Sequence, residues 1–216
     1  MKILVTGGGT TEYIDDVRVL TNISTGALAA RIAYKLEDKG HDITYVCAKS
    51  SVRPQFTEAK NDDRIKTVTD VASLFTVMKE WVPHHDVVIH AMAVSDFGFK
   101  RNGSVKLKSN SPESFIDHMR QNIVVNPKII SHIKEWNPGC VLVGFKFEVG
   151  KKLEDLIAIA TESFRKNKCD VVIANDKEMM KAAHEHVALA IQDSCVTTLN
   201  GKEDISNWLV NYVGSL

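Results

Sequence analysis

The feature that most limits the fold is a short apolar run leading directly into three glycines. Ile3–Val5 is followed, after one threonine, by Gly7–Gly9. Glycine lacks a Cβ and allows positive φ, so several backbone N–H groups of such a loop can approach one anion. The pattern predicts a phosphate- or nucleotide-binding loop at the carboxyl end of a buried first strand.

Strand-like and helix-like segments alternate along the rest of the chain. The runs predicted as strands are Ile3–Val5, Ile43–Cys47, Ile65–Val68, Val87–His90, Val141–Phe147, Val171–Ala174, Val187–Ile191 and Val196–Leu199. The predicted helices are Ala27–Lys39, Val71–Val82, Pro127–Glu135, Leu153–Lys166 and Ile205–Tyr212. Continuously apolar strands that alternate with helices predict an α/β, Rossmann-like, doubly wound sheet that is mostly parallel.

Two segments depart from this alternation. Asp193-Ser194 separates the last two strand-like runs and predicts an antiparallel hairpin at the edge of the sheet. Residues 97–127 contain glycines, a proline and several cations, and are too short for a core of their own. We therefore interpret residues 97–127 as a flap, and residues 1–216 as a single domain that buries about 70% of its unfolded surface.

Charge and hydropathy exclude several classes of protein. The chain has 27 basic and 27 acidic residues, which argues against nucleic-acid binding. No apolar run reaches the roughly 20 residues that span a bilayer, and no signal-peptide pattern is present. We expect a cytoplasmic protein that does not bind membranes, with its four scattered cysteines as free thiols and no structural metal site.

The glycine loop is an incomplete dinucleotide fingerprint. The residues from Gly7 onwards supply the first Gly-x-Gly, but the third glycine is absent. Lys49 and Arg53 follow the second strand, so an NADP-binding reductase stays open as an alternative. Tyr45 and Lys49 have the Tyr-x-x-x-Lys spacing of short-chain reductases, but they belong to a strand-like run rather than a helix.

Three small polar residues and a glycine lie just before the first predicted helix, namely Asn22, Ser24, Thr25 and Gly26. One interpretation is N-capping, since these side chains accept backbone N–H groups. The other is binding of a phosphate or carboxylate at the positive end of the helix.

The segment after the fourth strand carries a second candidate group. Ala91 and Met92 lead to Asp96, a carboxylate suited either to a nucleotide or to capping its own turn. Lys106 and Lys108 are two residues apart, so in an extended segment their side chains lie on one side. They are either a solvated face or ligands of a phosphate group.

Two further positions complete the predicted edge. Asn126 precedes a proline at the start of a predicted helix, and Phe145 ends a strand, where it either joins the core or stacks on a base. The sequence shows no Ser/His/Asp arrangement or paired catalytic carboxylates. The pattern favours chemistry on charged, phosphorylated substrates.

These motifs, in this order, resemble the phosphopantothenoylcysteine synthetase (phosphopantothenate–cysteine ligase) family. The resembling segments are Ile3–Thr10, Ile14–Arg18, Thr21–Gly26, Ala93–Phe97, Lys106–Lys108, Asn126-Pro127, Val143–Phe145 and Ala174–Asp176. The resemblance implies a homodimer that joins 4′-phosphopantothenate to L-cysteine through an acyl-nucleotide intermediate, with Mg²⁺. The Lys-x-Lys segment resembles the bacterial branch, which implies CTP.

The resemblance also implies roles for individual residues. Asn22 handles the acyl intermediate, and Lys106 is a mobile-loop lysine that faces phosphates. The implied nucleotide-binding residues are Gly7, Gly8, Gly9, Ala91, Met92, Asp96, Lys106, Asn126, Phe145 and Lys166. The implied phosphopantothenate-binding residues are Asn22, Ser24, Thr25 and Gly26.

The chain departs from the family pattern at three places. Ala27 occupies a position where the family commonly has lysine, and His90–Met92 is bulkier than the usual alanine-rich stretch. Of the two lysines that the family has before the Asn-Asp motif, Lys166 or Lys168 matches one, and Ser163 occupies the region of the other. A non-catalytic nucleotide-sensing module on the same fold is a third interpretation, beside the ligase and the reductase.

Overall fold

The computed structural model describes residues 1–56, 62–100, 111–183, 186–193 and 195–216. The strands are β1 Lys2–Gly7, β2 Thr11–Tyr13, β3 Val19–Thr21, β4 Asp42–Ala48, β5 Ile65–Val68, β6 Val87–His90, β7 Phe97–Phe99, β8 Ile123–Val125, β9 Val141–Glu148, β10 Val171–Asp176, β11 Val187–Gln192 and β12 Cys195–Asn200. The α-helices are α1 Ala27–Asp38, α2 Val71–Trp81, α3 Pro112–Asn122, α4 Ile129–Trp136, α5 Leu153–Asn167, α6 Lys177–Ala183 and α7 Gly201–Gly214.

Eight of these strands form the main sheet, in the order β12-β11-β10-β9-β6-β1-β4-β5. Six of them are parallel, namely β1, β4, β5, β6, β9 and β10, and β11 and β12 are antiparallel at one edge. Taken in chain order, the six parallel strands follow the doubly wound sequence 3-2-1-4-5-6. The predicted Rossmann-like fold and its edge hairpin are confirmed.

The core consists of one apolar layer on each face of the sheet. Helices α1 and α7 cover one face, through residues such as Ile32 and Leu209. Helices α2, α4 and α5 cover the other, through residues such as Leu74, Ile133 and Leu156. The burial of both faces explains why the parallel strands are continuously apolar instead of alternating.

The predicted flap contains regular structure in its described part. Strands β7 and β8 pair in antiparallel fashion, and Phe97 lies opposite Val125. Helix α3 comes between these two strands in the sequence, and its N-cap Ser111 accepts a hydrogen bond from the Ser114 N–H at 3.2 Å. A second hairpin, β2–β3, follows the glycine loop. The sequence prediction missed both hairpins because each strand has three residues, too few to show an apolar period.

The helix predicted from Pro127 begins two residues later, so the predicted start is wrong. Its N-cap is Lys128, whose backbone is extended. Asn126 continues the course of β8, and its N–H donates to the Asp96 carbonyl at 2.9 Å. This cross-strand bond holds the chain extended past the proline. Of the four cysteines, all are free thiols and only Cys195 is exposed.

Candidate functional site

The candidate site lies where β1 and β6 are neighbours in the sheet. The chain winds away from this pair in opposite directions, which leaves a crevice at the carboxyl ends of the two strands. The loops after β1 and β6 meet there through backbone hydrogen bonds. Ala93 N–H donates to the Gly8 carbonyl at 2.8 Å, and Thr10 N–H donates to the Ala93 carbonyl at 3.1 Å. We call residues 7–10 and 91–96 the crevice.

Each glycine of the loop is required for a different reason. A Cβ at Gly7 would lie 2.3 Å from Tyr45 Oη, and one at Gly9 would lie 2.7 Å from the Asn22 carbonyl oxygen. Gly8 has φ +86°, and a Cβ there would lie 1.7 Å from Ser51 Oγ. The loop therefore packs closely against its surroundings, and its wall facing the crevice is backbone.

Helix α1 begins beside this loop without a side-chain cap. Its N-cap is Gly26, at φ 74°, and a Cβ there would lie 3.0 Å from the Gly8 nitrogen. Thr25 Oγ1 accepts from the Ala27 N–H at 3.3 Å, which satisfies one first-turn donor. Of the two interpretations of this segment, N-capping accounts for Thr25 alone. The positive end of α1 otherwise adjoins the glycine loop.

Asn22 bridges the two sides of the crevice. Its side-chain Nδ2 donates to the Val94 carbonyl at 3.2 Å, although the residue is exposed. Beneath it, the Ser95 N–H donates to Thr10 Oγ1 at 2.9 Å, and Thr21 Oγ1 donates to the Thr10 carbonyl at 2.8 Å. An exposed amide is thus held above a buried and hydrogen-bonded floor.

Asp96 and Asn126 lie together at one end of the crevice. Asp96 is exposed and forms an ion pair with Lys128. Asn126 Nδ2 donates to the Ser95 carbonyl at 3.1 Å, which fixes the side chain that the sequence predicts to contact a nucleotide. Both residues are therefore at the edge where a ligand would enter.

A buried carboxylate that sequence reasoning missed supports this end of the crevice. Glu12 is 7% exposed, and its Oε1 accepts from the N–H of Val71 at 2.9 Å, at the first turn of α2. Its carboxylate also accepts from the Asn126 side chain. Burial raises the pKa of Glu12, and the Val71 N–H opposes that shift. No local pattern could have revealed this role, because Val71 is 59 positions away.

His90, at the end of β6, forms a second buried polar link. Its Nδ1 lies 3.0 Å from Thr6 Oγ1, which also accepts from the Met92 N–H at 3.1 Å. Burial lowers the pKa of His90 to about 4, so the imidazole is neutral at physiological pH. The Met92 side chain packs in the core, and Ala91 packs against the opposite layer. The Met92 side chain is therefore withdrawn from the crevice, whereas Ala91 is only partly buried.

Two predicted positions on β9 and β10 lie at the same edge. Phe145 is partly buried against the core layer of α1 and α7. Asp176 ends β10 and accepts from the N–H groups of Lys151 at 2.9 Å and Glu178 at 2.8 Å. The Lys151 bond is the main reason that the pKa of Asp176 is lowered. Asp176 therefore organises the loop and α6, whereas Phe145 packs against the core.

The structure does not bring Lys166 to the crevice. Lys166 belongs to the last turn of α5, a helix of 15 residues that returns from the carboxyl edge of the sheet to the amino edge. The Asp170 N–H that follows donates to the Leu142 carbonyl, at the start of β9. The length of α5 separates Lys166 from the crevice by about 20 Å. Lys106, the other predicted phosphate-binding lysine, lies outside the described residues.

The Tyr45–Lys49 spacing does not form a reductase pair. Tyr45 lies inside β4, is fully buried, and donates its hydroxyl hydrogen bond to the Val52 carbonyl at 3.2 Å. Burial raises its pKa, which opposes a role as a proton donor to substrate.

Neither a cluster of metal-ligating side chains nor a membrane-spanning helix is found in the described parts of the chain. Within them, no group of three or more His, Cys, Asp or Glu side chains is arranged to hold a metal ion. None of the helices there combines the length and apolar character needed to cross a membrane.

The fold and the crevice define the class of protein: a Rossmann-like domain with a glycine loop and a helix N-terminus at the switch point of its sheet. Comparison with known sequences makes the assignment narrower. The chain belongs to the DNA/pantothenate metabolism flavoprotein C-terminal domain family, whose model matches residues 1–216.

Individual relatives agree with this assignment. The chain is 36% identical over 192 residues to the coenzyme A biosynthesis bifunctional protein CoaBC of Thermococcus kodakarensis, covering 89% of this chain and 45% of the relative. It thus spans less than half of that protein. The crystal structure of the DNA/pantothenate metabolism flavoprotein from Streptococcus pneumoniae is 33% identical, with a TM-score of 0.82 over 100% of this chain and 99% of that one.

A more distant structure shares the fold. It is a Cab2 mutant in complex with phosphopantothenate-cysteine, 16% identical, with a TM-score of 0.73 over 99% of this chain and 85% of that chain.

Proposed function

We propose that this chain is a ligase of coenzyme A biosynthesis that joins 4′-phosphopantothenate to L-cysteine. The observation that carries the proposal is the family match over residues 1–216, in a chain whose crevice is built of backbone donors and amides. The distant Cab2 structure, named as a complex with phosphopantothenate-cysteine, supports the substrate assignment.

The chemistry of the crevice suits activation of a carboxylate. A free carboxylate is a poor electrophile, so we propose that its oxygen attacks the α-phosphorus of CTP. This step forms an acyl-cytidylate and releases pyrophosphate. The cysteine amine then attacks the acyl carbon, CMP leaves, and an amide bond forms. Such a reaction requires positioning and charge stabilisation rather than a protein nucleophile.

In this proposal, CTP and 4′-phosphopantothenate bind at different ends of the crevice. The loop Gly7–Gly9 and the bare N-terminus of α1 offer N–H groups to phosphate oxygens. Asp96, Asn126 and Phe145 lie where the cytosine and ribose would bind. On the other side, Ser24–Gly26 and Asn22 adjoin the phosphopantothenate.

Asn22 has the clearest catalytic role in this scheme. Its Nδ2 reaches across the crevice to the Val94 carbonyl, so its amide lies between the two groups of ligand-binding residues. We propose that it contacts the acyl-cytidylate and orients it towards cysteine. Lys106 would neutralise phosphate charge, and Lys106→Ala should lower turnover more than stability.

Mg²⁺ enters the proposal together with CTP. Mg²⁺ commonly uses one or two carboxylates with substrate phosphates and water for its remaining ligands. The described residues offer Asp96 as an exposed carboxylate at the nucleotide end, which fits this pattern. The bound ion would offset the charge of the triphosphate.

An exposed group of apolar side chains supports a homodimer. Hairpins β2–β3 and β7–β8 contact each other and carry Val17, Val19, Leu20, Phe97, Ile123 and Val125, all exposed. We call these six residues the apolar surface. Apolar groups gathered in this way mark interaction sites. We propose a second copy of this chain as the partner that covers the apolar surface.

We also propose that the protein works in the cytoplasm, as the sequence predicts.

Pyrophosphate release provides the test. The wild-type chain, given CTP and Mg²⁺, should release pyrophosphate only with 4′-phosphopantothenate, and form the amide only when L-cysteine is added. Competition with ATP in the same assay measures how strongly CTP is preferred. Tight NADPH binding without substrate-dependent release would favour the reductase, and CTP binding without turnover would favour a sensing module.

A further inference from the structure

The hydrogen bonds around His90 connect the two strands that flank the crevice. His90 is the last residue of β6 and is 6% exposed, and Thr6 lies opposite it in β1 with no exposed surface. Thr6 Oγ1 lies 3.0 Å from His90 Nδ1 and 3.1 Å from the backbone nitrogen of Met92. One hydroxyl therefore contacts both the imidazole and the first turn of the loop after β6.

The donors and acceptors in this network favour one tautomer of His90. The Met92 N–H can only donate, so Thr6 Oγ1 accepts from it and has its own hydrogen to give. Among the described residues, the one acceptor at hydrogen-bond distance from that hydroxyl is His90 Nδ1. We therefore assign Nδ1 as the acceptor and place the proton on Nε2, because the other tautomer would leave the buried Thr6 hydroxyl hydrogen without an acceptor.

The direction of the Met92 N–H affects the conformation of the whole loop after β6, because the residues that follow Met92 are hydrogen-bonded to the glycine loop. Immediately after Met92, Ala93 accepts from Thr10 and donates to Gly8, and Ser95 then donates to Thr10 Oγ1. The Thr6–His90 pair sets the point from which this series of bonds starts. Since the Met92 side chain is in the core, this residue faces the crevice with its backbone alone.

We propose that His90 is a positioning residue, which acts through the Thr6 hydroxyl to hold the backbone of residues 91–93 in the conformation that binds nucleotide. This inference rests on the proposed function, because it takes CTP as the ligand of the crevice. It gives a role to a position where this chain departs from the alanine-rich pattern of the family that it resembles.

Paired variants test the hydrogen bonds separately from the volume of the side chains. Asparagine places an acceptor near the position of Nδ1, so His90→Asn keeps the bond that His90→Leu removes. Thr6→Ser keeps the hydroxyl, and Thr6→Val removes it with little change in shape. Each variant is first examined by urea unfolding to establish that it is folded.

The affinity for CTP, measured by isothermal titration calorimetry, is the main readout. His90→Leu and Thr6→Val should each weaken CTP binding about tenfold, the effect of one ordinary hydrogen bond. His90→Asn and Thr6→Ser should stay within about threefold of wild type. In the ligase assay, KM for CTP should rise in His90→Leu and Thr6→Val, whereas KM for cysteine should stay unchanged in both.

Two results would overturn the proposal. One is CTP binding equal to wild type in folded His90→Leu, and the other is equal weakening by His90→Asn and His90→Leu. A wild-type chain that binds CTP but forms no amide would instead refute the ligase proposal and leave the calorimetric comparison valid. A wild-type chain that does not bind CTP would refute both.

A measurement on the unmodified protein tests the tautomer directly. Imidazole ¹⁵N chemical shifts should show His90 neutral, with an acceptor at Nδ1 and a proton on Nε2. The Met92 amide should exchange slowly with solvent and become faster in Thr6→Val. A proton found on Nδ1 would contradict the proposed direction of the bonds.

Discussion

The crevice and the apolar surface lie next to each other at the carboxyl edge of the sheet, but they use their side chains in opposite ways. In the crevice and directly beneath it, polar groups such as Thr6, Thr10 and Ser95 are buried and bonded to the backbone. On the apolar surface, Val125 is 79% exposed and Val17 is 61% exposed. The crevice is thus organised before any ligand arrives, whereas the apolar surface is completed only by another surface.

The largest expected effect concerns the exposed amide above the crevice. Asn22→Asp replaces the donor to Val94 by a carboxylate, which cannot donate and adds charge beside the phosphates. Amide formation should fall at least about a hundredfold, as when one donor to a reacting group is removed. Quenched-flow analysis should detect acyl-cytidylate that accumulates instead of passing to cysteine. Wild-type turnover, or no intermediate, would remove Asn22 from its proposed role.

A backbone substitution tests how tightly the crevice is packed. Gly8→Ala combines a left-handed backbone with a clash against Ser51, and should cost about 3 kcal/mol of unfolding free energy. In the double variant with Ser51→Gly, the clash is relieved but the backbone strain is not, so about half of the loss should return. Chemical denaturation of the four proteins measures both terms, and a fully additive pair would contradict the contact.

The buried imidazole should make the crevice sensitive to acid. The pKa of His90 is about 4 in the folded protein and ordinarily 6.5, so at pH values between these the unfolded chain binds more protons. Its contribution to stability is complete above pH 6.5 and should fall by about 3 kcal/mol as the pH approaches 4. His90→Asn has no titrating group and is the control. Equal pH dependence of urea unfolding in both proteins would show that the pKa is not lowered.

The apolar surface should respond in assembly rather than in folding. Val125→Lys places a charge at an exposed position, so stability should change by less than about 0.5 kcal/mol. If a second copy covers this surface, the charge must be desolvated, and association should weaken at least about tenfold. Sedimentation equilibrium measures this. Val196→Lys, at a position 45% exposed on β12, is the control, and an equal effect of both would rule out this surface.

The smallest expected effect is at the rim of the crevice. The ion pair between Lys128 and Asp96 is exposed on both sides, so Lys128→Met should change the unfolding free energy by at most about 0.5 kcal/mol. A loss of 2 kcal/mol or more would show that this pair belongs to the pre-organised network. Urea denaturation at low and high salt distinguishes these outcomes.

The sequence alone determined the type of fold and most of its order. Short apolar runs such as Ile3–Val5 and Val87–Ile89, which alternate with helical patterns, indicate buried strands, and the glycines after the first of them allow a close approach of backbone. These are local properties, so Gly7–Gly9, Asn22 and Gly26 could be selected without knowledge of the tertiary structure. The winding of the strands then brings the ends of β1 and β6 together.

Only the tertiary structure decided which polar side chains are buried and which end of the sheet each residue occupies. Glu12 and His90 depend on partners 59 and 84 positions away, and no local pattern encodes such distances. Lys166 was selected because the resembling family carries lysines on the helix before the Asn-Asp motif, but α5 carries it to the opposite edge of the sheet. Sequence spacing predicts which elements form, whereas the contacts between them arise only when the two core layers pack.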